Sequence, residues 1–240
     1  MRAQAISFGV AVIASGIASV TGFGIGSFLT PTVAIWTGTK LAVAAVAIPH
    51  FVGTAQRFWM LRRSVDRRIL LGFGIASAAG GLVGALLHSR ASGHFLSILL
   101  GALLILAGFS ELTGWMRRVR WSHHAAWAAG ALSGTLGGLV GSQGGIRSAA
   151  MLGFDVPKEA FVATATAIGL FVDFARLPVY VATEGTDLAR IWPLILTTTI
   201  GVVLGTTLGS RVLSRLPQRT FRRVVAVLLV ALGVFLIVRR

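Results

Sequence analysis

Apolar residues fill the chain in eight long blocks that are separated by short polar links. The blocks cover about 4–37, 39–61, 69–88, 94–116, 125–153, 158–182, 189–210 and 220–238. A membrane-spanning helix needs roughly 20 predominantly apolar residues, and every block reaches or approaches that length. Because no stretch is left for a soluble domain, the pattern predicts an all-α polytopic membrane protein with roughly eight to ten membrane segments.

Composition and charge agree with this class. Hydrophobic residues make up 55% of the 240 residues and charged residues 12%, and the mean hydropathy is +0.84. Soluble domains carry about twice that share of charge. The formal net charge of +15 comes largely from arginines in links such as "LRRSVDRR" and "SRLPQRTFRR". This distribution is typical of the positive-inside rule and offers no basic face to nucleic acid, so a nucleic-acid partner is not expected.

Cysteine is absent from the sequence, which excludes disulfides, thiol chemistry and zinc–cysteine sites. We expect no cofactor and no bound metal. The first 20 residues resemble a signal peptide, with a basic start followed by an apolar stretch. The internal repeat described next makes this segment the counterpart of a later block, so we expect it to stay in the protein.

A weak internal repeat divides the chain into two halves, 1–120 and 121–240. At an offset of 119 positions, "GFGIGSFLTPTVAIW" (22–36) aligns with "GSQGGIRSAAMLGFD" (141–155), and Arg57 aligns with Arg176. The match continues, with small gaps, through "GGLVGALLHSR" and "GVVLGTTLGSR". Each half therefore contains four of the eight apolar blocks.

The links between equivalent blocks carry opposite charge patterns. In the first half the basic link "LRRSVDRR" precedes the nearly neutral "HSRASGH", whereas in the second half the acidic "TEGTDLAR" precedes "SRVLSRLPQRTFRR". This reversal predicts inverted repeats, with links 62–68, 117–120 and 211–223 inside and both termini outside. Inversion requires an odd number of crossings in each half. We therefore expect the first and fifth blocks to fold back, as re-entrant hairpins or as two short crossings.

Glycines interrupt those same two blocks, at 22, 24 and 26 and at 141, 144 and 145. Non-helical backbone inside a membrane is tolerated where protein or a wet cavity satisfies its polar groups, and paired broken helices are typical of transport sites. The glycines of "GGLVG", "GVVLGTTLG" and "GALSGTLGG" recur four positions apart. That spacing instead predicts close helix packing.

Arg147 is the one formally charged residue between Arg120 and Asp155, and it follows the second glycine run. The N-terminus of a helix attracts anions, and a guanidinium group adds a fixed charge with planar donors. We therefore predict that an anionic substrate contacts residues at the two breaks: Gly24, Gly26, Ser27, Gln143, Gly144, Gly145, Arg147 and Ser148. An arginine that snorkels to the membrane surface or pairs structurally is the alternative explanation. Ser142, Thr164 and Thr166 are further candidates for lining the site, with helix packing as an equal alternative.

Four other residues are candidates for gating or coupling: His50, Arg57, Asp173 and Arg176. Snorkelling to opposite membrane faces is the simpler explanation for the two equivalent arginines. Asp173 precedes Arg176 by three positions, which favours a structural ion pair on one helical face. A membrane-embedded acid is also a common proton-coupling device, and His50 is either structural or part of a proton path. The coupling ion would be a proton or sodium.

These motifs resemble those of the TauE/SafE sulfite exporter family. The resemblance rests on the glycine-rich break, on "VPKEAFVATATAIGLFVDFARLPVYV" and on "GVVLGTTLGSRVLSRLPQRTFRRVVAVLLVALGV", with a weaker first copy that includes "LRRSVDRRILLGF". It covers essentially the whole chain. It implies a bacterial cytoplasmic-membrane carrier that moves sulfite, sulfoacetate or another small sulfur-containing or organic anion, generally outward. The family often has a proline or a small apolar residue where this chain has "GGIRSA".

Taken together, the sequence predicts a secondary anion transporter, an exporter by the resemblance, that works by alternating access around a midplane site. No GxxxxGK[ST] motif occurs, so an ion gradient or the gradient of the substrate itself would drive transport. An anion channel is an alternative that shares the same elements. An intramembrane hydrolase using Ser27 or Ser142 with His50 is a weaker alternative, because no second histidine or acid is obviously placed to complete it. We therefore expect the chain not to be an enzyme.

Overall fold

The computed structural model describes residues 1–114, 123–142, 144, 147, 151, 154, 156–213 and 218–238. Within these residues the backbone forms nine long helices and no strand. In chain order they are α1 (Arg2–Thr21), α2 (Ile25–Thr37), α3 (Thr39–Leu61), α4 (Arg67–Arg90), α5 (Gly93–Thr113), α6 (His123–Val140), α7 (Lys158–Arg190), α8 (Trp192–Leu213) and α9 (Gln218–Val238). Helix α4 is continuous but contains one π-helical turn, Leu70–Gly74.

Six of these helices, α1, α3, α4, α5, α7 and α8, are long and apolar enough to cross a membrane. The apolar segments of α2, α6 and α9 are shorter. Large apolar side chains are exposed along the outer faces, as at Ile13, Leu86 and Leu196. A soluble protein would bury such surface, whereas lipid solvates it. The chain is a multi-pass, all-helical membrane protein, as the apolar blocks predict.

The first and fifth apolar blocks are both broken at a glycine. Helix α1 ends before Gly22, whose φ is +83°, and α6 ends before Gly141, whose φ is +74°. Each glycine donates its backbone N–H to the carbonyl four residues earlier, which is a common way to terminate a helix. The predicted breaks are thus confirmed at the first glycine of each run. Gly26 and Gly144 are already helical.

Glycines form the closest contacts between helices. Gly80 and Gly84 of α4 lie against the backbone carbonyls of Ala131 and Thr135 in α6, and Gly205 of α8 lies against the carbonyl of Val12 in α1. A Cβ atom at any of these glycines would overlap main-chain atoms that cannot move aside. The packing role predicted for the three spaced glycine motifs is confirmed.

Polar contacts establish the directions of the helices. Lys40, at the start of α3, lies 3.7 Å from Glu184, late in α7, whereas Ser64, just after α3, donates a 2.9 Å hydrogen bond to Glu159 at the start of α7. Helices α3 and α7 are therefore antiparallel. Helix α8 runs in the same direction as α3, because Gln56, near the end of α3, donates to Thr207, near the end of α8, at 2.9 Å. The basic link 62–68 and the end of α8 consequently lie at one end of the bundle.

Helix α7 is longer than its apolar block predicts. The charge pattern predicts a link at "TEGTDLAR", but this segment is helical, and α7 continues to Arg190. Polar residues sustain this last part of the helix, where Asp187 and Arg190 pair at 3.0 Å on an exposed face. The predicted end of the sixth block at 182 is wrong because apolarity marks where a helix leaves lipid, not where its hydrogen bonding stops.

Candidate functional site

The two breaks lie side by side in the interior. Gly26 lies so close to the carbonyl oxygen of Gly141 that any Cβ at position 26 would overlap it. Phe23 packs against Gly144 in the same way, and the hydroxyl oxygens of Ser27 and Ser142 are 3.5 Å apart. Contact between the two glycine-rich segments, the basis of the predicted site, is therefore present.

A buried ionic group lies next to the breaks and joins α3 to α7. Nδ1 of His50 is 2.7 Å from Oδ2 of Asp173, and Nε of Arg176 donates to Oδ1 of Asp173 at 2.9 Å. The exposed fractions are 9% for His50, 0% for Asp173 and 2% for Arg176. The structural pairing predicted between Asp173 and Arg176 is confirmed. The pairing of His50 with Asp173 was not predicted.

The same part of α7 caps the end of α6. Nη1 of Arg176 donates to the carbonyl of Gly137 at 2.8 Å, and the hydroxyl of Tyr180 donates to the carbonyl of Gly138. Carbonyls in the last turn of a helix carry the negative end of its dipole and favour cationic or hydroxyl donors. The carbonyl of Gly137 also accepts from the N–H of Gly141, so Arg176 uses its second lone pair. Arg176 thus has two acceptors, a carboxylate and a helix end, and both neutralise its charge.

Replacing Asp173 with alanine should destabilise the protein strongly. The change leaves the buried cation Arg176 without its carboxylate, and breaking a buried pair in this way costs about 3–5 kcal/mol. The matched control is Asp187→Ala, which removes an equally spaced Asp–Arg pair on the exposed part of the same helix. Because exposed pairs contribute little, the control should unfold like the parent. Thermal unfolding in detergent measures both, and equal losses would contradict the assignment.

Arg57 and Arg147 are also buried, with exposed fractions of 4% and 3%. The prediction that Arg57 and Arg176 snorkel to the membrane surface is wrong, because both side chains are enclosed by protein. Among the described residues, neither Nε nor Nη1 of Arg57 or Arg147 has a hydrogen-bond partner. Gly169 leaves room for Arg147, since a Cβ there would lie 3.1 Å from Nη1 of Arg147 and 3.6 Å from Cγ2 of Thr54. The guanidinium of Arg147 therefore lies between α7 and α3.

We call six of these residues the central polar cluster: His50, Thr54, Arg57, Arg147, Asp173 and Arg176. Arg57 and Arg147 are close enough to interact electrostatically with each other and with Asp173. Within the described part of the chain the cluster holds three arginines against one aspartate, so positive charge is in excess. Buried charge without a partner is costly, which makes the cluster suited to an anion.

The remaining candidates have different positions. Gln143, Gly145 and Ser148 lie outside the described residues. Gly24 faces Ile17 of α1 rather than the second break. Thr164 accepts a 2.9 Å hydrogen bond from the backbone N–H of Asp66, and Thr166 donates to the carbonyl of Val162 at 2.8 Å. Both hydroxyls are therefore bonded to the backbone of the protein itself. Sequence reasoning missed Tyr180, although it is the chain's single tyrosine and lies one helical turn after Arg176.

His50 is not bonded to either serine that the hydrolase alternative requires, in the part of the chain that the structure describes. No group of three His, Asp or Glu side chains that could hold a metal ion occurs among the residues described. The hydrogen bonds of His50 go to Asp173 and to the hydroxyl of Thr54, at 3.4 Å, rather than to a glycine-flanked serine. The described arrangement is a buried group of polar side chains with an excess of positive charge.

Comparison with known proteins agrees with this chemistry. The family model described as Sulfite exporter TauE/SafE matches residues 7–236, nearly the whole chain. No curated protein and no solved structure matches the chain. The TauE/SafE family is a family of transporters and not of enzymes. Because this match covers nearly the whole of a helical membrane protein, the chain belongs to the TauE/SafE sulfite exporter family.

Proposed function

We propose that this protein is a secondary carrier that moves a small sulfur-containing anion, such as sulfite or a sulfonate, outward across the bacterial cytoplasmic membrane. The anion binds in the central polar cluster, between the guanidinium groups of Arg57 and Arg147. The observation that carries the proposal is the pair of buried guanidinium groups with nitrogen donors that have no partner among the described residues. An oxyanion supplies acceptors and negative charge at once, and planar guanidinium donors match its geometry.

A difference between equivalent positions supports the proposal that Arg57 is an anion ligand. Arg57 and Arg176 correspond at the 119-position offset, and so do Thr54 and Asp173. In the second half, Asp173 neutralises Arg176. In the first half a threonine takes the place of the carboxylate, so the charge of Arg57 has no carboxylate partner at the corresponding position. One arginine of the pair is therefore structural and the other is available to substrate.

Two inverted halves, 1–120 and 121–240, would provide alternating access to this site. Four helix pairs support the assignment: α1 packs on α8, α6 packs on α4, α5 packs on α9, and α3 packs on α7. Exchanging the halves replaces α1 by α6, α3 by α7, α4 by α8 and α5 by α9, and the reverse. The pair α1–α8 then becomes the pair α6–α4, and the pairs α5–α9 and α3–α7 each map onto themselves. The helix ends Thr21 and Val140, and the helix starts Thr39 and Lys158, also correspond at the same offset. Rocking of one half against the other would expose the cluster to each side in turn.

Burial of the cluster favours a carrier over a channel. His50, Arg57, Arg147, Asp173 and Arg176 are at most 9% exposed. An open pore would leave such groups in contact with water along its length, whereas a carrier passes through an occluded state. We therefore propose that the binding site is closed to both sides of the membrane in the conformation described.

Transport by purified protein in liposomes tests the proposal. We expect saturable counterflow of sulfite, thiosulfate or methanesulfonate, and we expect Arg57→Ala to raise the half-saturating concentration by about 10- to 100-fold, the effect of losing a charge-assisted hydrogen bond. The variant should remain folded, because Arg57 has no acceptor for Nε or Nη1 in the described part of the chain. Small carboxylates serve as the comparison anions. Unitary currents without counterflow would indicate a channel, and anion movement no faster than in empty liposomes would refute the function.

A further inference from the structure

We infer that the His50–Asp173 pair is the proton-binding site of this carrier, and that one proton crosses the membrane together with the anion. The inference rests on the proposed function, because the proton is assigned to the same cluster as the anion. It goes further by naming the coupling ion, the groups that carry it and the direction of coupling. The carrying observation is the 2.7 Å contact between Nδ1 of His50 and Oδ2 of Asp173 inside the membrane-spanning part of the bundle.

The pair has the chemistry that reversible proton binding requires. Imidazole is the side chain whose ordinary titration range includes neutral pH, and a carboxylate within hydrogen-bond distance holds a proton on Nδ1. Asp173 does not depend on His50 alone, since Nε and Nη2 of Arg176 lie 2.9 Å and 2.8 Å from its other oxygen. The carboxylate therefore stays in place whether or not the imidazole is charged. A proton can bind and leave without dismantling the contact between α3 and α7.

The pair is also next to the anion site. His50 and Arg57 lie on the same helix, and the Cδ2 edge of the imidazole faces Gly26 at the first break, 3.9 Å from a Cβ placed there. Thr54 links the two groups: its hydroxyl is 3.4 Å from Nδ1 of His50, and its methyl group lies beside Gly169 and Arg147. A change of charge on His50 is therefore felt directly where the anion binds.

The charges around His50 determine the sign of the coupling. The ionisable groups that act on it are Asp173 and Arg176 from α7 and Arg57 from its own helix, with Arg147 acting on Asp173 and Arg57. The neighbouring helices α2 and α8 have no ionisable side chain in Ile25–Thr37 or Trp192–Gly209. With arginine in excess, a proton on His50 adds repulsion, and a bound anion removes it. Each ligand favours the other, as linkage requires, so proton and anion travel together. Because the bacterial cytoplasm is the alkaline side, outward transport on this scheme is driven by the outward gradient of the anion itself and not by the proton gradient.

A pH gradient across the membrane of proteoliposomes tests this. The probes are methanesulfonate and thiosulfate, which stay fully ionised near neutral pH, so that any proton that moves is carried by the protein. With the membrane potential clamped at zero, the parent should accumulate methanesulfonate in the alkaline compartment, by up to about tenfold per pH unit for one proton per anion. His50→Gln should show no accumulation driven by the pH gradient, whatever rate of labelled-for-unlabelled exchange it retains at equal pH. His88→Gln, which changes another buried histidine outside the cluster, should behave like the parent.

A second measurement does not depend on transport by the variant. Adding methanesulfonate or thiosulfate to weakly buffered, detergent-solubilised parent protein should cause proton uptake. His50→Gln, whose anion binding is measured as stabilisation against heat, should take up no proton per anion bound. Absence of uptake by the parent, accumulation that persists in His50→Gln, or accumulation in the acidic compartment would each overturn the inference while leaving anion transport intact. Absence of anion exchange by the parent would instead overturn the proposed function, and this inference with it.

Discussion

Arg147→Ala should abolish anion transport while leaving the protein folded. Arg147 contributes a guanidinium group that is 3% exposed and whose Nε and Nη1 have no partner among the described residues. In the bound state these donors meet the anion, and the loss of a bidentate, charge-assisted contact is worth about 3 kcal/mol or more, roughly a hundredfold in affinity. Counterflow of sulfite or methanesulfonate in liposomes is the measurement.

Stability separates this role from a structural one. Removing a buried charge that lacks a carboxylate partner relieves a desolvation cost, so the free energy of unfolding of Arg147→Ala without substrate should not fall. The substrate should stabilise the parent against heat and should no longer stabilise the variant. Arg147→Lys should recover part of the transport, because it restores the charge but not the planar fork. Arg68→Ala, at the end of the bundle, is the control. Normal counterflow by Arg147→Ala would show that the site is wrongly placed.

Gly84→Leu should prevent stable assembly of the membrane domain. A Cβ at Gly84 would overlap the carbonyl of Thr135 in α6, and the obstacle is main chain rather than a flexible side chain. Relief requires α4 and α6 to separate, which would disrupt the neighbouring contact between Gly138 and Gly81. Overpacking costs about 1–3 kcal/mol even where side chains can shift, and here the helices themselves must move. Size-exclusion profiles and thermal unfolding in detergent report the result.

Gly9→Leu is the matched control for that experiment. Gly9 also lies inside a membrane helix, α1, but a Cβ there would meet no atom within 4 Å. The added side chain would face outward, so the variant should assemble like the parent. If both leucine variants assembled equally well, the close approach of α4 and α6 would not be a requirement of the fold.

The sequence alone predicts the features that depend on local composition. The length of the apolar blocks predicts membrane helices, and the spacing of glycines predicts both the helix breaks and the close contacts between helices. Arg147 stands out because one charge in an apolar block is costly wherever the chain folds. These properties belong to single segments, so they can be read before any partner is known.

Features that depend on contact between distant helices were not predictable. His50 and Asp173 are 123 positions apart, and nothing in either segment indicates which residues of α3 and α7 meet. Burial of Arg57 was missed for the same reason, since an arginine near a helix end is compatible with snorkelling until its neighbours are placed. The role of Tyr180 depends on where α6 lies, and the sequence around Tyr180 does not show this.

The pairing of α1 with α8 has a consequence for the order in which the protein is made. Small residues of α1, including Ser7, Ala11 and Ala18, are buried, and Ala11 and Ala18 share a packed cluster with Val202 of α8. Synthesis runs from the N-terminus, so α1 enters the bilayer long before α8 leaves the ribosome. During that interval the residues of α1 that pack on α8 lack their partner. The packing of α1 is therefore completed only after the last third of the chain has been synthesised.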